Sequence, residues 1–316
     1  MTTEIVVQTE GLIAGAIEAY LTREAKTFDA LVMDDLLTAF QRTVTRQLME
    51  PRRDRAGEEH ATLYTHPCAR KARFTFDGVP RAPLPARAHL KFFLGDVVEL
   101  AVGGLARLAG LDIGLNNEAL SIEGRDGVRV PVHPDFILSV APTHYNVEVK
   151  SVDSRTFDRW LEQGGPDNTW GYRTQCSIEL QAWREAGWAM DPDTLLVAVS
   201  TGSRIASIAE WRIPYDAMLV TGWHLRRLAR QGTEIPPIPF VPEPEIQFIK
   251  GKDVAHGTGA TPRLDKHGKL YGWDVPSGRQ KVNLVCSYCP YLNTCYPSAI
   301  MELDGNKPIW IIPQRP

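Results

Sequence analysis

Glu148-Val149-Lys150 sets a carboxylate and an amine two positions apart, inside a stretch from Tyr145 to Val152 where apolar and polar residues alternate. In a strand, that alternation sends Val147 and Val149 to one face and Glu148 and Lys150 to the other. A similar run, Val128 through Leu138, precedes it across the turn signal Ala141-Pro142-Thr143. A hairpin closed there sets Asp135 opposite Glu148, with Cβ atoms roughly 5 Å apart. Two carboxylates at that spacing repel, and a divalent cation between them is the usual cure. Lys150, about 7 Å further along the face, then sits beside a metal-bound water, where its charge orients the nucleophile and offsets charge on a phosphate. In outline this is metal-assisted hydrolysis. A solvated strand face also carries Glu-x-Lys, so the pairing with Asp135 is what gives the triplet its meaning.

A second group is made of thiols. Cys286, Cys289 and Cys295 crowd into VCSYCPYLNTCYP, leaving only Cys68 and Cys176 elsewhere. Three thiols lack the fourth ligand of a closed metal site. Cys176 falls mid-helix and reads as a small buried packing residue. Cys68 follows Pro67 and precedes Arg70, Lys71 and Arg73, a cationic setting that favours thiolate. The alternative fourth ligand is a histidine such as His256 or His267, with zinc as the metal.

The elements that must position these groups follow from periodicity. Apolar spacing predicts helices over 10–25 and 29–50, with Pro51 ending the second, and a long helix over 89–108 after the Pro-rich connector 80–89. A further helix is expected over 170–186, strands over 194–200 and 207–213, and a helix to about residue 230. PPIPFVPEPE reads as an extended linker, and Asp265-Lys266-His267-Gly268 as a hairpin turn in a polar, Gly-rich region. The order of helices and strands is that of an α/β protein around a mixed sheet. It divides into an N-terminal helical segment (1–60), a core (61–235) and a C-terminal region (236–316).

Composition agrees with a globular chain. The 316 residues are 43% hydrophobic and 23% charged, with a formal charge of −3. No apolar run reaches the roughly 20 residues that span a bilayer, and the acidic start MTTEIVVQTEGL has no secretory pattern, so the expected location is cytoplasmic with no membrane partner. Charge is uneven: Arg42 to Lys91 holds eleven Lys/Arg against five Asp/Glu. Such a stretch faces phosphates or forms a solvated helical surface.

With these residues in view, the chain resembles the RecB-like branch of the PD-(D/E)XK nucleases. Pro134-Asp135 and Glu148-Val149-Lys150 look like the motif that names the superfamily. Gly95-Asp-Val-Val-Glu99 is similar to the branch's Gly-x-x-x-His/Glu motif, and the helix from Tyr172 through Gln175 to Trp183 to its Gln-containing helix, with Glu179 where the branch usually carries Tyr. The resemblance implies that Glu99, Asp135, Glu148 and the Val149 carbonyl hold Mg²⁺ or Mn²⁺, and that Lys150 and Gln175 position water and phosphate. PCxRKxRF around Cys68, with the terminal trio, resembles the iron–sulfur subgroup, which includes CRISPR-adaptation exonucleases. That implies a structural 4Fe–4S cluster on Cys68, Cys286, Cys289 and Cys295, clasping the two ends of the chain, with the basic stretch around Cys68 as a rim for single-stranded DNA. Four thiolates also suit zinc.

The expected function is a metal-dependent DNA nuclease, an exonuclease acting on single strands or ends. No Gly-x-x-x-x-Gly-Lys-Ser/Thr loop is present, so unwinding falls to a helicase or a CRISPR or recombination partner, and homo-oligomerisation is open. The rival readings are a non-catalytic DNA-end-binding subunit and a zinc-stabilised structural protein.

Overall fold

Where polar and apolar residues alternate, or β-branched residues run together, the chain forms strands; where apolar residues recur every three or four positions it forms helices. The computed structural model describes residues 7–8, 11–24, 29–49, 57–83, 86–115, 120–202, 207–250, 259–265, 267–304 and 307–313. These group into two compact units, residues 1–79 with 84–236, and residues 80–83 with 237–316.

The first unit contains β1 (Val7–Gln8), α1 (Leu12–Thr22), α2 (Ala30–Val44), α3 (Ala69–Phe76), α4 (Ala86–Leu108), β2 (Asp112–Leu115), β3 (Leu120–Glu123), β4 (Arg129–Val132), β5 (Phe136–Val140), β6 (Thr143–Val152), α5 (Ser154–Gln163), α6 (Tyr172–Glu185), β7 (Met190–Ser200), β8 (Ile208–Pro214) and α7 (Ala217–Gln231). Its main sheet runs β1-β8-β7-β6-β5-β2. Among the described residues only β6 and β7 pair in parallel there, so the sheet is mixed. On one face α1 and α4 bring Ile13, Ile17, Val102 and Ala106 against Phe136, Leu138, Val147 and Val149. On the other, α5 and α6 bring Phe157, Trp160 and Cys176 against Leu196, Ala198 and Trp211. The fold is therefore α/β, a mixed central sheet flanked by helices. Among the described residues no helix is long and apolar enough to cross a membrane.

Several expectations need correction. The run 128–138 is not one strand. It breaks at His133-Pro134-Asp135 into β4, which pairs with β3 in a separate two-stranded sheet, and β5 of the main sheet. Pro134 has no amide proton to continue a ladder, which accounts for the break. Helix α5 was absent from the expected elements despite a clear start signal, Asp153 accepting from the amides of Arg155 and Thr156 at 3.1 Å each. Helix α2 gives way to a π-helical turn at Thr45–Met49. The last three residues of the supposed linker PPIPFVPEPE, Glu243 to Glu245, belong to a strand. The strand face carrying Glu148 is not solvated: Glu148 is 0% exposed.

The second unit contains β9 (Glu243–Lys250), β10 (Thr261–Leu264), β11 (Leu270–Lys281), α8 (Leu284–Ser287), α9 (Leu292–Cys295), β12 (Ile300–Asp304) and β13 (Lys307–Ile312). Its sheet runs β10-β11-β13-β12, with β9 also on β11. The expected turn at Asp265–Gly268 joins β10 to β11, with Lys266 outside the described residues, as is His256. Arg279 fixes the sheet by pairing with buried Glu245 at 2.7 Å and with Glu302 at 2.8 Å.

Candidate active site

The β5–β6 ladder has the register the sequence predicts. Phe136 pairs with Val147 and Val140 with Thr143, which sets Asp135, one residue before β5, level with Glu148. Asp135 is held there by a hydrogen bond in which the Val149 amide donates to its Oδ2 at 2.8 Å. Lys150 does not stand off along the strand as spacing alone suggests. Its Nζ bonds directly to Glu148 Oε1, and it lies 5.4 Å from the ring centroid of Tyr172. The second oxygen, Glu148 Oε2, is buried with no hydrogen-bond partner among the described residues. A buried, unpartnered carboxylate oxygen is costly unless a ligand completes it.

Helices on both faces of the sheet supply the rest. A cavity of about 620 Å³ is lined by Asp96 and Glu99 of α4, Asp135, and Gln175 and Glu179 of α6, with Arg42 and Arg46 on a further wall. Glu148, being fully buried, is not among the lining residues. Gln175 Nε2 donates to Glu179 Oε1 at 2.9 Å and Asn146 Nδ2 to Glu179 Oε2 at 3.0 Å. Asn146 is itself oriented by Trp183, whose Nε1 donates to its Oδ1 at 3.0 Å. The Gln-containing helix thus delivers a fixed carboxylate. Glu179 was noted in the sequence only as a departure from the motif; its place one helical turn after Gln175 is the signal that puts both side chains on one face. Asn146 shares its strand face with Glu148, another position the alternation pattern marks.

Crowding shows in the acidities. Burial, followed by the Glu148 charge, pushes the Asp135 carboxyl up to about 8. Burial, then Asp135 and Asp96, pushes Glu99 up to about 8. Burial, then Glu179, pushes Glu148 to about 8, and burial with Asp135 takes Glu179 to about 7. Burial opposes the Lys150 charge, but Glu148 and Asp135 outweigh it and its pKa is raised. One fixed cation among four carboxyls leaves the group short of positive charge. Hard oxygen donors in excess, one of them unpartnered, fit Mg²⁺ or Mn²⁺.

The thiols lie in both units. Cys68 is buried and caps α3. Cys286 is in α8, Cys295 ends α9, and Cys289 lies between them, its amide donating to the Cys286 carbonyl at 2.9 Å. All are soft donors of the type that iron–sulfur clusters and zinc take, and none of the five cysteines is disulfide-bonded. Among the described residues no three His, Cys, Asp or Glu side chains already stand together closely enough to hold a metal ion. Cys176 is a core residue, as expected. Arg70 and Arg73, read as a cationic rim around Cys68, are engaged structurally. Arg70 donates its Nε to the Pro236 carbonyl at 2.6 Å and Arg73 its Nη1 to the Arg230 carbonyl at 2.8 Å, so part of each guanidinium is committed to the backbone.

No family model matches the chain, and no curated protein matches it. Among solved structures it is similar to one described as the crystal structure of SSO0001, at 16% identity over 64% of this chain and 88% of that one, with a TM-score of 0.40. A likeness of that size carries no argument about function.

Proposed function

We propose that the chain is a divalent-metal-dependent deoxyribonuclease of the RecB-like PD-(D/E)XK type, hydrolysing phosphodiesters in single-stranded DNA or at DNA ends. The observation that carries this reading is the meeting of Asp135 and Glu148 across the β5–β6 register, with Lys150 bonded to Glu148 and Glu99 beside Asp135. Such a group needs cations to be at ease, and a phosphodiester bound there needs them too. Bound Mg²⁺ or Mn²⁺ supplies a polarised water and neutralises charge on the phosphate.

Each residue then has a part. Asp135, Glu148 and Glu99, with the Val149 carbonyl, are the proposed oxygen ligands. Lys150 stays charged near neutral pH and holds its ammonium where negative charge grows in the transition state. Gln175 fixes Glu179, and Asn146 and Trp183 brace it. The four thiols of Cys68, Cys286, Cys289 and Cys295 are proposed to hold a structural 4Fe–4S cluster, a reading supported by their number, their chemistry and the subgroup resemblance. A helicase or recombination partner would supply single strands.

End-labelled single-stranded and duplex DNA, incubated with purified protein and Mg²⁺ or Mn²⁺, tests the reading. Degradation that stops with chelator and is absent in Asp135→Ala supports it. DNA left intact by the wild type with every divalent metal overturns it.

A further inference from the structure

We infer that Arg42 is a phosphate-binding residue, presented by α2 on the cavity wall to hold the backbone of a single-stranded DNA substrate beside the carboxylates. The inference rests on the nuclease reading above and gives the N-terminal helices, which the resemblance does not cover, a part in substrate binding.

Asp96, Glu99, Asp135 and Glu179 line one cavity, and a polyanionic strand entering it meets carboxyls where its flanking phosphates need cations. Metal ions relieve this only at the phosphate they touch; flanking phosphates need fixed cations. Arg42 and Arg46 line the same cavity and lie one helical turn apart, on one face of the segment. They differ in commitment. Arg46 is paired with Asp96 at 2.7 Å, where Gln47 also donates at 2.6 Å. Arg42 is exposed and has no ion-pair or hydrogen-bond partner among the described residues, so its guanidinium is available to a ligand. His133, exposed in the β4–β5 connection, lines the cavity as well and offers a second donor.

A binding residue must also be held in place. Arg107 of α4 pairs with Asp35 of α2 at 2.9 Å. Gly104 allows the closest approach, since a Cβ there would run into Leu36 of α2. With Arg46 and Gln47 bonded to Asp96, α2 is fastened to the helix that carries Glu99. The distance from Arg42 to the carboxylates is therefore set by helix packing. The planar fork of arginine suits a phosphate better than a lysine would.

The test compares wild type with Arg42→Gln, Arg42→Lys and a charge-matched control, Arg155→Gln, at an exposed position of α5. Binding of fluorescein-labelled single-stranded DNA is read by anisotropy with Ca²⁺ as a function of salt. Degradation with Mn²⁺ gives kcat and KM. Arg42→Gln should weaken binding roughly tenfold and lower the salt slope by about one, raising KM with kcat nearly unchanged. Arg42→Lys should recover part of the loss, and Arg155→Gln should match wild type. Equal affinity and salt slope in wild type and Arg42→Gln, while both still degrade DNA, overturns the assignment and leaves the nuclease reading standing. A wild type that neither binds nor degrades DNA overturns both.

Discussion

Asp135→Asn isolates one member of the carboxyl group with little change in shape. Its amide oxygen can still accept from the Val149 amide, which now bonds Asp135 Oδ2 at 2.8 Å, but the negative charge is gone. Burial and the Glu148 charge push the Asp135 carboxyl from 3.8 up to about 8. The folded chain thus keeps a proton that the unfolded chain has lost at neutral pH. The stability associated with that raised pKa is fully present below the unfolded value near 4 and is lost as pH rises toward 8. Each carboxyl holding its proton in this way lowers stability by about 1.4 kcal/mol per pH unit. Without divalent metal, wild type should therefore lose more stability than Asp135→Asn between pH 6.5 and 7.5, by on the order of 1 kcal/mol. For a unit of this size that is roughly 2–4 °C in Tm. Burial and neighbouring Lys71 and Arg226 depress His66 to about 3, and its contribution is common to both proteins and cancels. The assay is a set of thermal melts in EDTA across that window, repeated with Mn²⁺. Added Mn²⁺ at a hundredfold its Kd should stabilise wild type by about 2.7 kcal/mol and the variant by much less. Parallel pH slopes for the two proteins would refute the reasoning.

Other outcomes follow from single contacts. The buried Glu210 carboxylate accepts the first three amides of α1, from Leu12, Ile13 and Ala14, at 3.0, 2.8 and 3.2 Å. Glu210→Ala should cost about 2–3 kcal/mol by denaturant titration; a loss within 0.5 kcal/mol, about what a surface change costs, would deny that role. Gly171 has φ 82° and a Cβ there would strike the Thr65 carbonyl, so Gly171→Ala should cost at least about 2 kcal/mol in the same titration. Anaerobically purified protein should be brown. Cys68→Ser and Cys295→Ser should each lower iron content and Cys176→Ser should not; zinc in place of iron, or full iron in Cys68→Ser, contradicts the cluster.

Much of the site was legible because strand geometry is local. The turn at Ala141-Pro142 and the alternation of Tyr145–Val152 were enough to align Asp135 with Glu148. What the pattern could not convey was the far side of the sheet. Glu148 sits in a period-2 stretch that reads as half exposed, yet α5 and α6 cover its face, and only tertiary packing makes it buried. The same holds for Arg70 and Arg73, whose partners, the Pro236 and Arg230 carbonyls, are remote in sequence. Glu179 was visible as a residue but not as a participant, because its meaning comes from Gln175 and Asn146 converging on it. Of the second sheet only the turn at Asp265–Gly268 was legible, for a different reason. Strands β9 and β10 are short or mostly exposed, with burial at Glu245 alone in β9, so no apolar alternation announces them.

Whether these carboxylates and Lys150 form a metal-dependent hydrolytic site is decided by Lys150→Ala. Lysine supplies no metal ligand, so Mn²⁺ binding by calorimetry should stay within a few-fold of wild type, while single-turnover DNA hydrolysis should fall on the order of 100-fold or more. Hydrolysis by Lys150→Ala at the wild-type rate, with Mn²⁺ bound, would contradict the account.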